Sequence, residues 1–166
     1  WTNPAPGGAH VHRVSGADRL ATAAALSRAF PAAETDTVLL ARADEFADAL
    51  VAGPLAAQHG APLLLTGRDQ LAAVARAELE RLRPDRVILV GGHAALGAEV
   101  EAGVAALPWL GAGAVTRIAG ADRYDTAARI AARIVPDLRR EVFLATGTAF
   151  PDALALLGET YFRSKQ

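Results

Sequence analysis

The residues with the clearest capacity for chemistry lie in one short segment, Arg13-Val14-Ser15-Gly16-Ala17-Asp18-Arg19. It returns at an offset of 104 residues as Arg117-Ile118-Ala119-Gly120-Ala121-Asp122-Arg123. In each copy two arginines bracket a glycine turn and a carboxylate. Planar guanidinium forks match the oxygens of phosphate or carboxylate groups better than lysine does. A helix opening at the aspartate adds unpaired N–H groups and the positive end of its dipole. The pattern reads as an anion-binding edge. The same residues also admit a structural account, in which Asp18 and Asp122 cap helices and pair with arginine while Gly16 and Gly120 supply a positive φ. Arg19 and Arg123 tilt toward ligand or interface contact, because a cation in the first helical turn opposes the dipole.

Two further places hold candidate residues. Gly91-Gly92-His93 follows the apolar run Val87-Ile88-Leu89-Val90. Gly91 and Gly92 let the backbone approach a ligand or another segment closely, which makes them candidate binding residues. The spacing through Gly97 is not G-x-G-x-x-G, and the acidic residue expected beyond the next strand is missing, so a nucleotide cofactor is not expected. His93 has no Ser, Cys or paired carboxylate in an evident relation to it. Asp48, within Phe46-Ala47-Asp48-Ala49-Leu50, and its copy Asp152 each put one acid into an apolar helical turn. Such an acid needs a partner, either an arginine of the turn motif or a backbone N–H. His10 and His12 lack the acidic or Cys companions of a metal site. No nucleophile elbow, P-loop or zinc signature is present. Neither catalytic residues, nor a metal, nor a cofactor are expected.

The elements that position these residues follow from periodicity. Val38-Leu39-Leu40-Ala41, Leu63-Leu64-Leu65-Thr66, Val87-Ile88-Leu89-Val90 and Val115-Thr116-Arg117-Ile118 read as strands. Three of them are almost wholly apolar, as strands covered on both faces are. Helical patterns lie between them at about 18–30, 45–59, 69–83 and 95–107, with Asp18, Asp44 and Asp69 near three helix starts. Pro54 should kink or split the helix at 45–59. This alternation predicts right-handed βαβ units, hence an α/β protein: a three-layer α/β/α, Rossmann-like fold with a mostly parallel sheet, built from tandem repeats. The 104-residue echo runs without a gap to Leu50 and Leu154, so the period is that of whole domains. The expected organisation is a linker at 1–11, a complete repeat at 12–116, a partial second repeat at 117–157, and a tail at 158–166.

Composition narrows the classes further. At 166 residues with 52% hydrophobic content, the chain can bury an ordinary core. A formal net charge of -1 gives no basic field for nucleic acid, although every cation except Lys165 is arginine. No apolar run reaches the roughly 20 residues that span a bilayer. Cysteine and methionine are both absent, so disulfides are excluded, and the chain reads as a processed product or an excised piece.

The repeated R-[VI]-x-G-A-D-R-x-x-T-A, the Val38–Ala41 and Phe46–Leu50 stretches, Ala61-Pro62-Leu63-Leu64-Leu65-Thr66 and Val87–Gly92 occur in an order that resembles the cell wall binding repeat 2 family, over about residues 12 to 157. The resemblance implies a secreted, non-catalytic module of S-layer-like surface proteins of Gram-positive bacteria, held at the cell wall by anionic wall polymers of the teichoic-acid type. It further implies three tandem copies packed as a pseudo-threefold trimer, with ligand near the clefts between them. By motif, the candidate contacts are Arg13, Asp18 and Arg19, then Arg117, Asp122, Arg123 and Tyr124, where the first copy has Leu20. A chain with one repeat and a fraction implies a homo-oligomer, a trimer before other states. The competing functions are a wall-active hydrolase using a dyad such as His93 with Asp48, and a purely structural oligomerisation unit.

Overall fold

A computed structural model describes residues 12–134, 144–149, 151, 153 and 154 of the chain. His10, Asp152, the linker at 1–11 and the tail at 158–166 lie outside the described residues, as does part of the second repeat expected at 117–157.

Four strands form one sheet: β1 (Thr37–Arg42), β2 (Leu63–Thr66), β3 (Arg86–Val90) and β4 (Val115–Ile118). Their order is β2-β1-β3-β4 and every pairing is parallel. Among the described residues five α-helices accompany them: α1 (Arg19–Ser27), α2 (Phe46–Gln58), α3 (Ala73–Leu82), α4 (Ala98–Ala105) and α5 (Arg123–Ala131). The α/β class read from periodicity is the class observed. Alternate residues of β1 and β3 face opposite layers. Val38, Leu40, Val87 and Leu89 pack with Leu79 and Leu82 of α3 and Val100 and Val104 of α4. Leu39, Ala41, Ile88 and Val90 pack with Ala52 and Leu55 of α2 and Ile130 of α5. The two central strands are thus buried on both faces, which explains their unbroken apolar runs.

Two helix starts differ from the periodic reading. Asp18 caps α1 as expected, accepting from the Ala21 N–H at 2.8 Å. Asp44 does not cap α2, whose N-cap residue is Glu45, because its carboxylate is held by Arg42 instead. Asp69 precedes α3 by a full turn. There the Thr66 hydroxyl accepts from the Ala72 N–H and donates to the Gln70 carbonyl, holding residues 67–72 as a loop. Nor does Pro54 split its helix: α2 runs unbroken from Phe46 to Gln58. Ala52, Leu55 and Ala56 are buried on either side of the proline, so packing against the sheet sustains the helix through the missing donor.

The chain runs from β1 to β2 in one direction and then back across β1 to β3 and β4. This reversal places a topological switch point beyond the carboxyl ends of β1 and β3, the position where open parallel sheets receive ligands.

Candidate functional site

The repeated turn is built the same way twice. Asp18 and Asp122 take matching extended backbone conformations at the N-caps of α1 and α5. The Asp122 carboxylate accepts from the Tyr124 and Asp125 N–H groups at 2.9 and 2.8 Å. The N–H groups of Gly16 and Gly120 donate to the hydroxyls of Thr22 and Thr126 at 3.0 and 2.9 Å. Neither glycine has a positive φ, contrary to the structural account of the sequence. Their requirement is room. A β-carbon on Gly16 would lie 2.4 Å from the Ala21 carbonyl carbon, and one on Gly120 would lie 2.4 Å from the Thr126 nitrogen. The chain is folded directly onto the first turn of the helix, where no side chain fits.

The second arginine of each motif also repeats its contact. Arg19 Nη1 donates to the Ala43 carbonyl at 2.9 Å, and Arg123 Nη1 donates to the Gly147 carbonyl at 2.7 Å. Ala43 and Gly147 are themselves echo positions. Both arginines are exposed, and each spends one of five N–H donors on this anchor. Tyr124 is exposed, and its ring lies beside Gly147, where a β-carbon would meet Cε1 at 2.6 Å.

The first arginines of the two motifs part company. Arg117 is largely buried. Its Nη1 donates to the Gly91 carbonyl at 2.7 Å, its Nη2 pairs with Glu101 at 2.7 Å, and its buried Nε has no partner among the described residues. Arg13 is exposed, and no hydrogen bond or ion pair from it is found among the described residues.

Gly91 follows the end of β3, at the switch point. Its φ is 110°, and the Asp48 carboxylate lies against its Cα. Burial raises the Asp48 pKa, Glu45 adds to the rise, and the Arg123 cation opposes it. Among the described residues no hydrogen bond or ion pair from Arg123 or a backbone N–H to Asp48 is found, so neither partner expected for this acid is seen. Gly92 is half-buried beside it, and His93 is exposed on the following loop. No hydrogen bond or ion pair joins His93 to Asp48 among the described residues.

Arg42 and Glu101 escaped the sequence reading. Arg42 closes β1, grips Asp44 through two bonds of 2.6 Å, pairs with Glu45, and reaches the Ala94 carbonyl beyond β3 at 3.3 Å. It therefore bridges the switch point. The same grip holds the Asp44 pKa down at about 2. An arginine ending an apolar strand, followed by Asp44-Glu45, was the available signal.

The structure brings Arg19, Arg123, Gly91 and Gly92 around the β1–α2 junction. Arg19 is bonded to Ala43, and the charge of Arg123 acts on Asp48. Asp18 and Asp122 are engaged as caps, Arg117 lies beneath Gly91, and Arg13 stands apart. Among the described residues no cluster of His, Asp or Glu could hold a metal ion, and no helix is long and apolar enough to cross a membrane.

The family model for cell wall binding domain 2 (CWB2) matches residues 13–101 and 117–157, two stretches that start at Arg13 and Arg117. The chain belongs to the CWB2 family. Its sequence is 33% identical over 147 residues to the N-acetylmuramoyl-L-alanine amidase LytC of Bacillus subtilis, covering 89% of this chain and 28% of LytC. Its fold is similar to Cwp6 from Clostridium difficile, with a TM-score of 0.78 at 30% identity, over 89% of this chain and 23% of that one. It is likewise similar to Cwp8 from Clostridium difficile, with a TM-score of 0.79 at 30% identity, over 88% of this chain and 25% of that one. The chain thus spans about a quarter of the length of the relatives it matches. CWB2 is a binding domain rather than an enzyme, and it sets this chain at the cell wall or cell surface.

Proposed function

We propose that this CWB2 chain attaches its protein to the wall by gripping an anionic wall glycopolymer of the teichoic-acid type, with Arg19 and Arg123 as the principal contacts. One observation carries the reading. Among the described residues each guanidinium group makes one bond, to a backbone carbonyl, and both residues are exposed, so they are ordered before a ligand arrives. Tyr124 offers a flat exposed face beside Arg123 on which a sugar ring can rest, and Gly92, half-buried and without a side chain of its own, lets a ligand approach the backbone at the end of β3. Asp18 and Asp122 hold the helix starts that aim the arginines. Arg117 serves from below by fixing Gly91, and Arg13 is a contact only where another copy adjoins it.

In this reading residues 12–116 and 117–157 are successive repeats of a secreted surface protein, and the clefts lie between repeats or subunits. Leu144 is 93% exposed although its echo, Leu40, is wholly buried. An apolar residue left so open in the second repeat favours a homo-oligomer, with a trimer as the first expectation. Weak single contacts then gain retention through multivalency. The decisive experiment is co-sedimentation with purified walls before and after chemical removal of their anionic polymers. Binding that survives the removal undiminished overturns the polymer assignment.

A further inference from the structure

The two copies of the turn motif share an anchor but reach into different loops. Arg19 bonds to Ala43 within Arg42-Ala43-Asp44-Glu45, and Arg123 bonds to Gly147 within the echo segment Thr146-Gly147-Thr148-Ala149. In the first loop Asp44 and Glu45 are exposed carboxylates that share the single guanidinium of Arg42. One cation for two anions leaves this loop net negative. Asp44, held charged chiefly by its bond to Arg42, also feels the charge of Arg19. An exposed cation beside an exposed anion is already partly satisfied before a ligand comes near.

The second loop has hydroxyls where the first has charges. Thr146 and Thr148 are exposed, their Oγ1 atoms lie 2.8 Å apart, and the Thr148 N–H donates to Thr146 Oγ1 at 3.4 Å. Only one of the two hydroxyls donates within this pair, so among the described residues the other hydroxyl proton has no acceptor. Tyr124 stands where the first copy has Leu20, and its ring fills the space beside Gly147. A β-carbon on Gly147 would lie 2.6 Å from Cε1 and 3.1 Å from the phenol oxygen. Gly147 and Tyr124 are thus a matched pair, the one making room for the ring of the other. The acids near Arg123 are engaged or half-buried. Asp125 bonds to Arg129 at 3.0 Å and accepts from the Ala121 N–H at 2.9 Å, while burial pushes Asp48 toward its neutral form.

We infer, resting on the wall-glycopolymer reading above, that the second copy of the motif is the stronger of the two sites and takes a sugar–phosphate unit. The remaining donors of Arg123 hold the phosphate, the Tyr124 ring carries the sugar, and the Thr146–Thr148 pair donates one hydroxyl to a ligand oxygen. Asp44 and Glu45 weaken the first copy by repelling the same phosphate. The difference between the copies therefore lies in residues 42–45 and 146–149, outside the repeated turn itself.

Two measurements on the full chain test it. In the first, backbone amides are followed by NMR while glucose 1-phosphate or inorganic phosphate is added. Tyr124, Gly147 and Thr148 should report tighter binding than Leu20, Ala43 and Asp44, and glucose 1-phosphate should bind the second copy more tightly than inorganic phosphate. Gly147→Ala alters no charge and sits at a φ that is not positive, so it should displace the Tyr124 ring and erase the preference for the sugar phosphate. Asp44→Asn/Glu45→Gln should strengthen binding at the first copy about two- to fivefold. Equal binding at the two copies, no preference for the sugar phosphate, or a silent Asp44→Asn/Glu45→Gln overturns the inference. The second measurement is wall co-sedimentation, in which Arg123→Ala should lose more binding than Arg19→Ala. Equal losses on intact walls overturn only the ranking of the copies, whereas undiminished binding to walls freed of anionic polymer overturns the reading beneath it.

Discussion

Asp48 rests against Gly91 so closely that a β-carbon at position 91 would lie 2.4 Å from the carboxylate oxygen. The contact joins the start of α2 to the end of β3 across the switch point, and it depends on a backbone φ of 110° that side chains rarely adopt. Gly91→Ala should therefore cost about 2–4 kcal/mol, combining backbone strain with displaced neighbours. Removing the acid as well, in Gly91→Ala/Asp48→Ala, should recover less than half of that loss. The φ strain and the 2.9 Å approach to Ala95 Cβ persist in the double variant. Denaturant unfolding of both variants checks this, and full recovery would show that the clash with Asp48 was the whole effect.

The same carboxylate predicts a pH dependence. Burial raises the Asp48 pKa above its unfolded value, so the folded state holds more protons than the unfolded state between those two values. Stability accordingly falls as pH rises through that window and returns on acidification through it. Asp48→Asn should raise the melting temperature at neutral pH and remove this slope. Asp44 works in the opposite sense. Its pKa is held at about 2 by the Arg42 grip, so its contribution is present above the ordinary carboxylate range and is lost as pH falls toward that value. Thermal melts of wild type, Asp48→Asn and Asp44→Asn across acid pH separate the two. A neutral-pH melting temperature for Asp48→Asn below wild type would count against a buried, poorly compensated charge.

Much of this was legible in the sequence. The double-faced apolar runs of β1 and β3 gave away a parallel sheet, and Asp18 and Asp122 announced their helix starts. The rest depends on contacts between residues far apart in the chain. Arg42 finds Ala94 and Arg117 finds Glu101 only after β1, β3 and β4 are laid side by side. Gly16 and Gly120 announced a turn but not its cause, since crowding against a helix leaves no trace in spacing. Nor does the sequence distinguish Leu26 from Ile130, two apolar residues at echo positions with opposite exposure.

Arg13 and Arg117 convert that last point into a comparison. Arg117→Ala leaves the Gly91 carbonyl and the Glu101 carboxylate without their partner and should cost about 2–4 kcal/mol. Arg13→Ala in the single chain should stay within about 0.5 kcal/mol of wild type, since nothing among the described residues bonds to it. Arg117→Lys should rescue little, because one ammonium cannot reproduce the fork that reaches both acceptors. Parallel chemical denaturation of the three variants is sufficient. Equal losses for Arg13→Ala and Arg117→Ala would contradict the asymmetry between the copies.

Arg19 and Arg123 provide the functional test. Both are exposed and each anchors to one carbonyl, so alanine at either site should change the melting temperature little. Wall binding should respond differently. Each single variant should bind walls several-fold more weakly, and the double variant should lose more than either, because retention rests on several weak contacts acting together. Raising ionic strength from 0.05 M to 0.5 M should weaken wild type in the same direction, as the Debye length shrinks to roughly 4 Å and exposed charge attraction is screened. Quantitative pull-down on walls, with melting curves run beside it, distinguishes a ligand contact from a fold defect. Wild-type binding by the double variant at both salt concentrations would remove these arginines from the site and leave the backbone at Gly92 to account for attachment alone.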